Sequence, residues 1–394
     1  MIRHTTAACI VLLCGLCAAC VSDESPVRTR DARPDLLLSS APLASIGGVD
    51  DRDGYAIGRL ADATLIQDRI VVGDRLSGDV RFYDYSGQLT SIVGRRGGGP
   101  GEFRALRRLA RVSSTAVAAW DAQLQRITIV EEGSPSKTVR PGPGEAQSTF
   151  PEFIGAISTN AFVFRDRRGL MGMRNVPTGA LQDSITYLVV DSTGETTAMV
   201  RRRGDDEWLY NQDSRWAREP ILFGATAAAT VAGETLILGE TDHLEFTFVD
   251  SVGRSSGSVV LEHQPTSIPT AAIERERSRQ LDAKVAAQNR IPLISAEGRP
   301  VVWNEWYSKM YRLMPAATEW PAYTALYGDR DGFWFCLYMD AAAQSTCSRV
   351  NGDSITGVVN LPGEWEIHEF HQEHVLISTV DSLDLRTVHL YRLE

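Results

Sequence analysis

Gly94-Arg95-Arg96-Gly97-Gly98-Gly99-Pro100-Gly101-Glu102-Phe103 follows directly on a strand hairpin running from Arg69 to Val93. Five glycines and a proline in ten residues exclude a helix, and they supply no side chains to pack as a strand. Such a run turns the backbone sharply between one small sheet and the next. It lacks the Lys-Ser/Thr pair and the following helix that a phosphate loop needs.

Working outward, a strand ending in an acidic turn and a glycine recurs. It is seen at Phe82-Tyr83-Asp84-Tyr85-Ser86-Gly87, Val189-Val190-Asp191-Ser192-Thr193-Gly194 and Phe248-Val249-Asp250-Ser251-Val252-Gly253, with weaker copies at Val130 to Gly133 and Arg349 to Gly352. Asp opens such a turn by accepting from its own backbone, and Gly supplies positive φ. The copies lie 47, 60 and 59 residues apart from Asp84 through Glu131 and Asp191 to Asp250. The next gap, to Asn351, is 101 residues and holds an insertion as well as a blade. Six four-stranded units result. Before each turn stands an apolar run (Arg69 to Val72, Ala116 to Ala119, Ala161 to Phe164, Thr235 to Leu238, Val375 to Ser378), read as the inner strand of its unit. The last unit offers three strands, so Pro42 to Gly47 is expected to supply the fourth and close the ring.

These features resemble NHL-like six-bladed β-propeller lipoproteins of bacteria over roughly Asp35 to Glu394, most specifically at Gly94 to Phe103. The expected fold is all-β: a six-bladed propeller of four-stranded antiparallel blades, with insertions at 204–220 and 265–320. The resemblance implies a binding platform without catalysis. Related lyases place metal-binding histidines from several blades at the ring centre. Here His243, His263 and His389 are scattered without that recurrence, so no catalytic set carries over.

Residues 1–20 read as a targeting segment, with Arg3, an apolar run from Ala7 to Leu16, and Leu16-Cys17-Ala18-Ala19-Cys20 at its close. Small residues before Cys20 look like a lipoprotein cleavage box, although Cys17 stands where Leu is usual; ordinary secretion is the alternative. Val21 and Ser22 carry no Asp to hold the protein at an inner membrane, so an outer-membrane address on the periplasmic side is expected. Residues 21–34 form a polar tether. The formal charge of −10 and pI near 5.3 argue against a nucleic-acid surface. Arg95-Arg96, Arg107-Arg108 and Arg201 to Arg203 are read as solvated turns. Cys336 and Cys347 flank a turn symmetrically, which places them opposite each other for a cross-strand disulfide; two free thiols are the alternative.

The candidate sites are those that break the repeat. Trp208 and Trp216 lie in the first insertion; Trp303, Trp306, Tyr307, Tyr311 and Trp320 follow a helix expected from Pro269 to Asn289 in the second. These aromatics suit stacking on a sugar or peptide, or a small second core. Asp74, Asp121 and Asp166, at the ends of the apolar runs, could face the channel mouth, where calcium is the ion they would suit. His368, His371 and His374 invite a metal, but strand alternation sends His371 away from the other two, and Glu369 and Glu373 read as solvated neighbours. Gly253-Arg254-Ser255-Ser256-Gly257 matches a nucleophile elbow only in letters, since it lies in a hairpin turn. The expectation is a monomeric, lipid-anchored module without cofactor, binding a protein, peptide or glycan on the inserted face. The alternative is a metal-dependent hydrolase or lyase at the central channel.

Overall fold

The Asp-turn-Gly signal does what its chemistry requires. Asp84 Oδ1 accepts from the amides of Ser86 and Gln88, Asp191 Oδ1 from those of Thr193 and Glu195, and Asp250 Oδ1 from those of Val252 and Arg254. Asp381 makes a further copy with Leu383 and Leu385, unread in the sequence. Each turn joins two neighbouring strands of a small antiparallel sheet. The structure, a computed structural model, describes residues 35–49, 52, 54–142, 151–167, 177–212, 215–289, 303–337 and 344–394. The targeting segment, Cys20 and the tether lie outside them.

After a first short strand β1 (Ala44–Gly47), sheet one holds β2 (Leu60–Ile66), β3 (Arg69–Asp74), β4 (Asp79–Asp84) and β5 (Leu89–Val93). Sheet two holds β6 (Leu106–Arg111), β7 (Ala116–Asp121), β8 (Arg126–Glu131) and β9 (Ser134–Val139). Sheet three has five strands: β10 (Glu152–Ser158), β11 (Ala161–Arg167), β12 (Gly179–Asp191), β13 (Thr196–Gln212) and β14 (Arg215–Pro220). Sheet four holds β15 (Ala227–Ala232), β16 (Thr235–Glu240), β17 (Glu245–Val249) and β18 (Ser255–Val260). Helices α1 (Thr270–Asn289) and α2 (Trp303–Leu313) precede sheet five, which is β19 (Ala325–Gly328), β20 (Phe333–Cys336), β21 (Gln344–Asn351) and β22 (Ser354–Pro362). Sheet six is β23 (Glu366–His371), β24 (His374–Val380) and β25 (Arg386–Arg392), with β1 as its outermost strand.

That last pairing, Ala44 on Leu390 through Gly47 on Thr387, closes the ring as the sequence predicts. The first strands of successive sheets touch in turn, and β23 returns to β2. Apolar clusters fill the space between sheets, for example Val71, Phe82, Phe103, Leu106 and Val117 between the first two. The glycine-rich run is the seam there. Gly94 adopts φ +92°, and a side chain on it would strike the Gly101 carbonyl and the Phe103 ring. Arg126 donates to the carbonyls of Gly99 and Glu102, both at 2.6 Å, and pins the loop.

Two readings need correction. The apolar runs taken as inner strands are the second strands β3, β7, β11, β16 and β24. The channel is lined by the less fully buried strands that begin where each connection ends. The first insertion, 204–220, is no separate element either. It is the far part of the seventeen-residue β13, which turns back through β14 and widens sheet three.

Candidate functional site

The helical insertion spends its aromatics on itself. Trp306, Tyr307 and Tyr311 are buried with Met310, Met314, Tyr210 and Leu222, and Trp208 packs at their edge. Tyr210 and Tyr307 meet Trp306 edge-on at 4.9 and 5.1 Å, while Trp320 meets Phe223 at 5.0 Å. Of the described aromatics expected to bind a ligand, Trp216 alone is substantially exposed, at 45 %. The Trp303 side chain lies outside the described part. The insertion is a second core packed against the far part of sheet three.

Cys336 and Cys347 face each other across β20 and β21 and form the disulfide. The three aspartates are buried one strand out from the channel and do not line it, because they end second strands. Asp74 accepts from the amides of Gly58, Arg59 and Leu76, and Asp121 from those of Arg104, Ala105, Gln123 and Leu124. These bonds fasten the chain as it enters the first strand of the aspartate's own sheet, a structural use of Asp. The Asp166 carboxylate has no hydrogen-bond partner among the described residues.

The one feature that draws on every sheet is the central cavity, about 1160 Å³, walled by β2, β6, β10, β15, β19 and β23. Arg107, Arg108, Arg165 and Arg167 stand toward the near end, where the first strands begin. Arg111, Arg330, Glu369 and His371 stand toward the far end. On the sheet-three side the charges are paired: Arg165 and Arg167 reach Asp205 at 2.9 and 2.7 Å. The buried Tyr187 hydroxyl, without a hydrogen-bond partner among the described residues, faces these charges, and burial pushes it up to about 12.

Where sheet six meets sheet one, the wall holds a polar cluster. Glu369 accepts from Thr64 Oγ1 at 2.5 Å and the Leu65 amide at 2.7 Å, and Arg111 reaches it at 3.3 Å. Arg111 also donates to His371 Nδ1. Asp62 accepts from the amides of Ala63 and Leu109 and lies 3.3 Å from His368 Nδ1; His368 Nε2 lies 2.9 Å from Ser378 Oγ. Glu369 and Asp62 thereby stitch first strands of neighbouring sheets, which share no ladder. Burial raises the Glu369 carboxyl against the opposite pull of Arg111 and its hydrogen bonds. Burial first, then Arg111, lowers His371 to about 4.

The histidine geometry departs from simple alternation. The β23–β24 register shifts between Ile367 and Glu369, leaving His368 as the extra residue of a bulge. His368 and His371 therefore both line the cavity, whereas alternation sends them to opposite faces. The order Ser378, His368, Asp62 has the pattern of a nucleophilic triad, but Ser378 is wholly buried on a second strand and offers no attacking oxygen to the channel. It positions His368. Nor does the cluster suit a cation, since Arg111 touches both Glu369 and His371. Among the described residues, Glu240, Asp242 and His243 form the one group with metal-ligand spacing, and Arg203 already occupies two of its carboxylates at 2.8 and 2.9 Å.

Glu369, Asp62 and Arg111 went unread as a site because each is ordinary in its local sequence. The signal that could have found them is positional. The first strand after each connection is the one that faces the channel.

No protein-family model matches the chain, and no curated protein matches it. Among solved structures, similarity extends to an exported protein of Bacteroides fragilis, 12 % identical, covering 93 % of this chain and 98 % of that one with a TM-score of 0.47. A DUF4221 family member of Bacteroides vulgatus is 10 % identical, covering 92 % and 99 % with a TM-score of 0.47. Virginiamycin B lyase of Staphylococcus aureus is 9 % identical, covering 91 % and 100 % with a TM-score of 0.41. At such identities no residue role transfers. By its own ring of closed, four- and five-stranded antiparallel sheets, the chain is a β-propeller.

Proposed function

We propose that this protein is an extracytoplasmic propeller that binds a small polar ligand in its central channel. The carrying observation is the cavity walled by first strands from all six sheets, with Arg107, Arg108 and Arg330 lining it without an ion-pair partner among the described residues. A protein or glycan bound at the aromatic insertion is a weaker reading, because those rings are packed against one another. A Cys336–Cys347 disulfide suits an oxidising compartment, and the Leu16 to Cys20 box supplies the proposed lipid anchor on the periplasmic side.

Catalysis at the channel has one observation in its favour, the convergence of Asp62, His368, Glu369 and His371 on the wall. Against it, the hydrogen bonds of Asp62, His368 and Glu369 are spent on the seam, and Arg111 stands where a metal would need to be. Binding without chemistry accounts for both facts.

A panel of charged small molecules (amino acids, sugar acids, nucleotides, short peptides) tests the reading by thermal shift. Ala110 lines the channel and packs at the edge of the core between sheets two and three, so Ala110→Trp enlarges the wall there; its melting temperature without ligand checks that the variant folds. Ligands that raise the melting temperature of the wild type should lose at least tenfold in affinity in this variant. Hits that bind both proteins equally place the site elsewhere and sink the channel reading.

A further inference from the structure

The net charge of the chain is −10, yet its near channel mouth gathers cations on the side of sheets one and two. Arg59 precedes β2, Arg75 follows β3, and Arg107 and Arg108 open β6. None of the four has an ion-pair partner among the described residues. The carboxylates nearest in the fold are already committed. Asp74 and Asp121 serve backbone amides, as above, and Asp79 is paired with Arg81 at 2.9 Å. Burial, then Arg107 and Arg59, lowers the Arg75 guanidinium, so these cations sit within electrostatic reach of one another. Arg107 occupies the extra position of a bulge between Leu106 and Arg108, which turns two successive arginines toward the cavity. Across the mouth, Arg165 and Arg167 are both paired with Asp205, and Glu152 lies 3.8 Å from Arg165, so two carboxylates balance two guanidiniums. The surplus is confined to one side.

We infer that this side of the mouth holds the phosphoryl head group of the ligand, with the rest of the molecule entering the channel. This rests on the channel reading and names its ligand class. A monocarboxylate would cancel one of four guanidiniums. A phosphoryl group brings a charge of about −1.5 to −2 and three acceptor oxygens, matching several guanidinium forks at once. The group can belong to a soluble phosphate ester or to a phospholipid head group; the recognition chemistry is the same.

The test is calorimetric titration of the full protein with inorganic pyrophosphate at constant ionic strength. Pyrophosphate should bind, and Arg75→Ala/Arg107→Ala should weaken binding at least tenfold. Arg201→Ala/Arg202→Ala removes equal charge from the outer part of sheet three and should stay within twofold. Melting temperatures without ligand check that both variants fold. Absence of binding, or an equal loss in the control, overturns the inference. Competition by detergent micelles doped with phosphatidic acid assigns the head group to a lipid; competition by glycerol phosphate alone assigns it to a soluble ester. Should pyrophosphate fail while the charged panel still yields ligands sensitive to Ala110→Trp, this inference falls and the channel reading stands.

Discussion

Glu369 and Arg107 face the same cavity from strands that flank β2 on either side, and their surroundings are opposite. Glu369 is 13 % exposed and receives a hydroxyl, an amide and a guanidinium. Arg107 is exposed and receives nothing from the described protein. A charge surrounded by its own partners is a fixture of the fold. A charge left bare beside like charges is available to something else. The contrast separates the wall that holds the ring closed from the mouth that meets a ligand.

The largest expected effect follows from removing the fixture. Glu369→Ala leaves Arg111, Thr64 and the Leu65 amide without their acceptor at the junction of sheets six and one. Loss of such a buried, hydrogen-bonded charge costs about 2 to 4 kcal/mol. Urea unfolding of the variant measures it. A loss below about 1 kcal/mol would mean that the seam does not depend on this carboxylate, and the comparison would lose its structural side.

A smaller effect is expected from pH. His371 is 7 % exposed and is faced by Arg111, Arg330, His374 and Asp329. Its folded value of about 4 lies below its ordinary 6.5. The unfolded chain therefore binds the proton first as pH falls. The stability that His371 contributes is complete above about 6.5 and is lost toward pH 4, by about 2 to 3 kcal/mol at most. Glu369, with its carboxyl raised, slopes the other way and reduces the net change. Melting temperatures from pH 7 to pH 4 should fall less steeply in His371→Gln than in the wild type. Parallel curves would show that burial and Arg111 do not hold His371 below its ordinary value.

The sequence made the ring legible because its evidence is local. Asp84, Asp191 and Asp250 bond to amides two and four residues on, so each turn announces itself wherever the chain goes. Closure by Ala44–Gly47 was legible too, from a missing fourth strand. The channel was not. Its strands, such as Leu60–Ile66 and Glu366–His371, are partly polar and bulged, and their environment comes from sheets distant in the chain. Glu369 beside two histidines reads as solvated until Thr64 and Leu65, some 305 residues earlier, are seen to donate to it. The aromatics of the insertion misled for the reverse reason. Trp306, Tyr307 and Tyr311 stand at spacings that the helix α2 turns toward Tyr210 and Leu222, and no sequence pattern distinguishes a binding stripe from a second core.

The smallest expected effect is the most diagnostic. If Arg107 and Arg108 are bare, replacing them should cost the fold almost nothing. Arg107→Ala/Arg108→Ala should shift stability by less than about 0.5 kcal/mol, and at low salt the shift should be a gain, because repulsion on Arg75 is relieved. Raising the salt screens that repulsion, whose range at physiological ionic strength is about 8 Å. The difference between variant and wild type should therefore shrink from 10 mM to 500 mM sodium chloride in urea midpoints. A loss above about 1 kcal/mol would reveal a protein partner for these guanidiniums. Glu369 and Arg107 would then both be fixtures, and the mouth would have no surplus charge to offer.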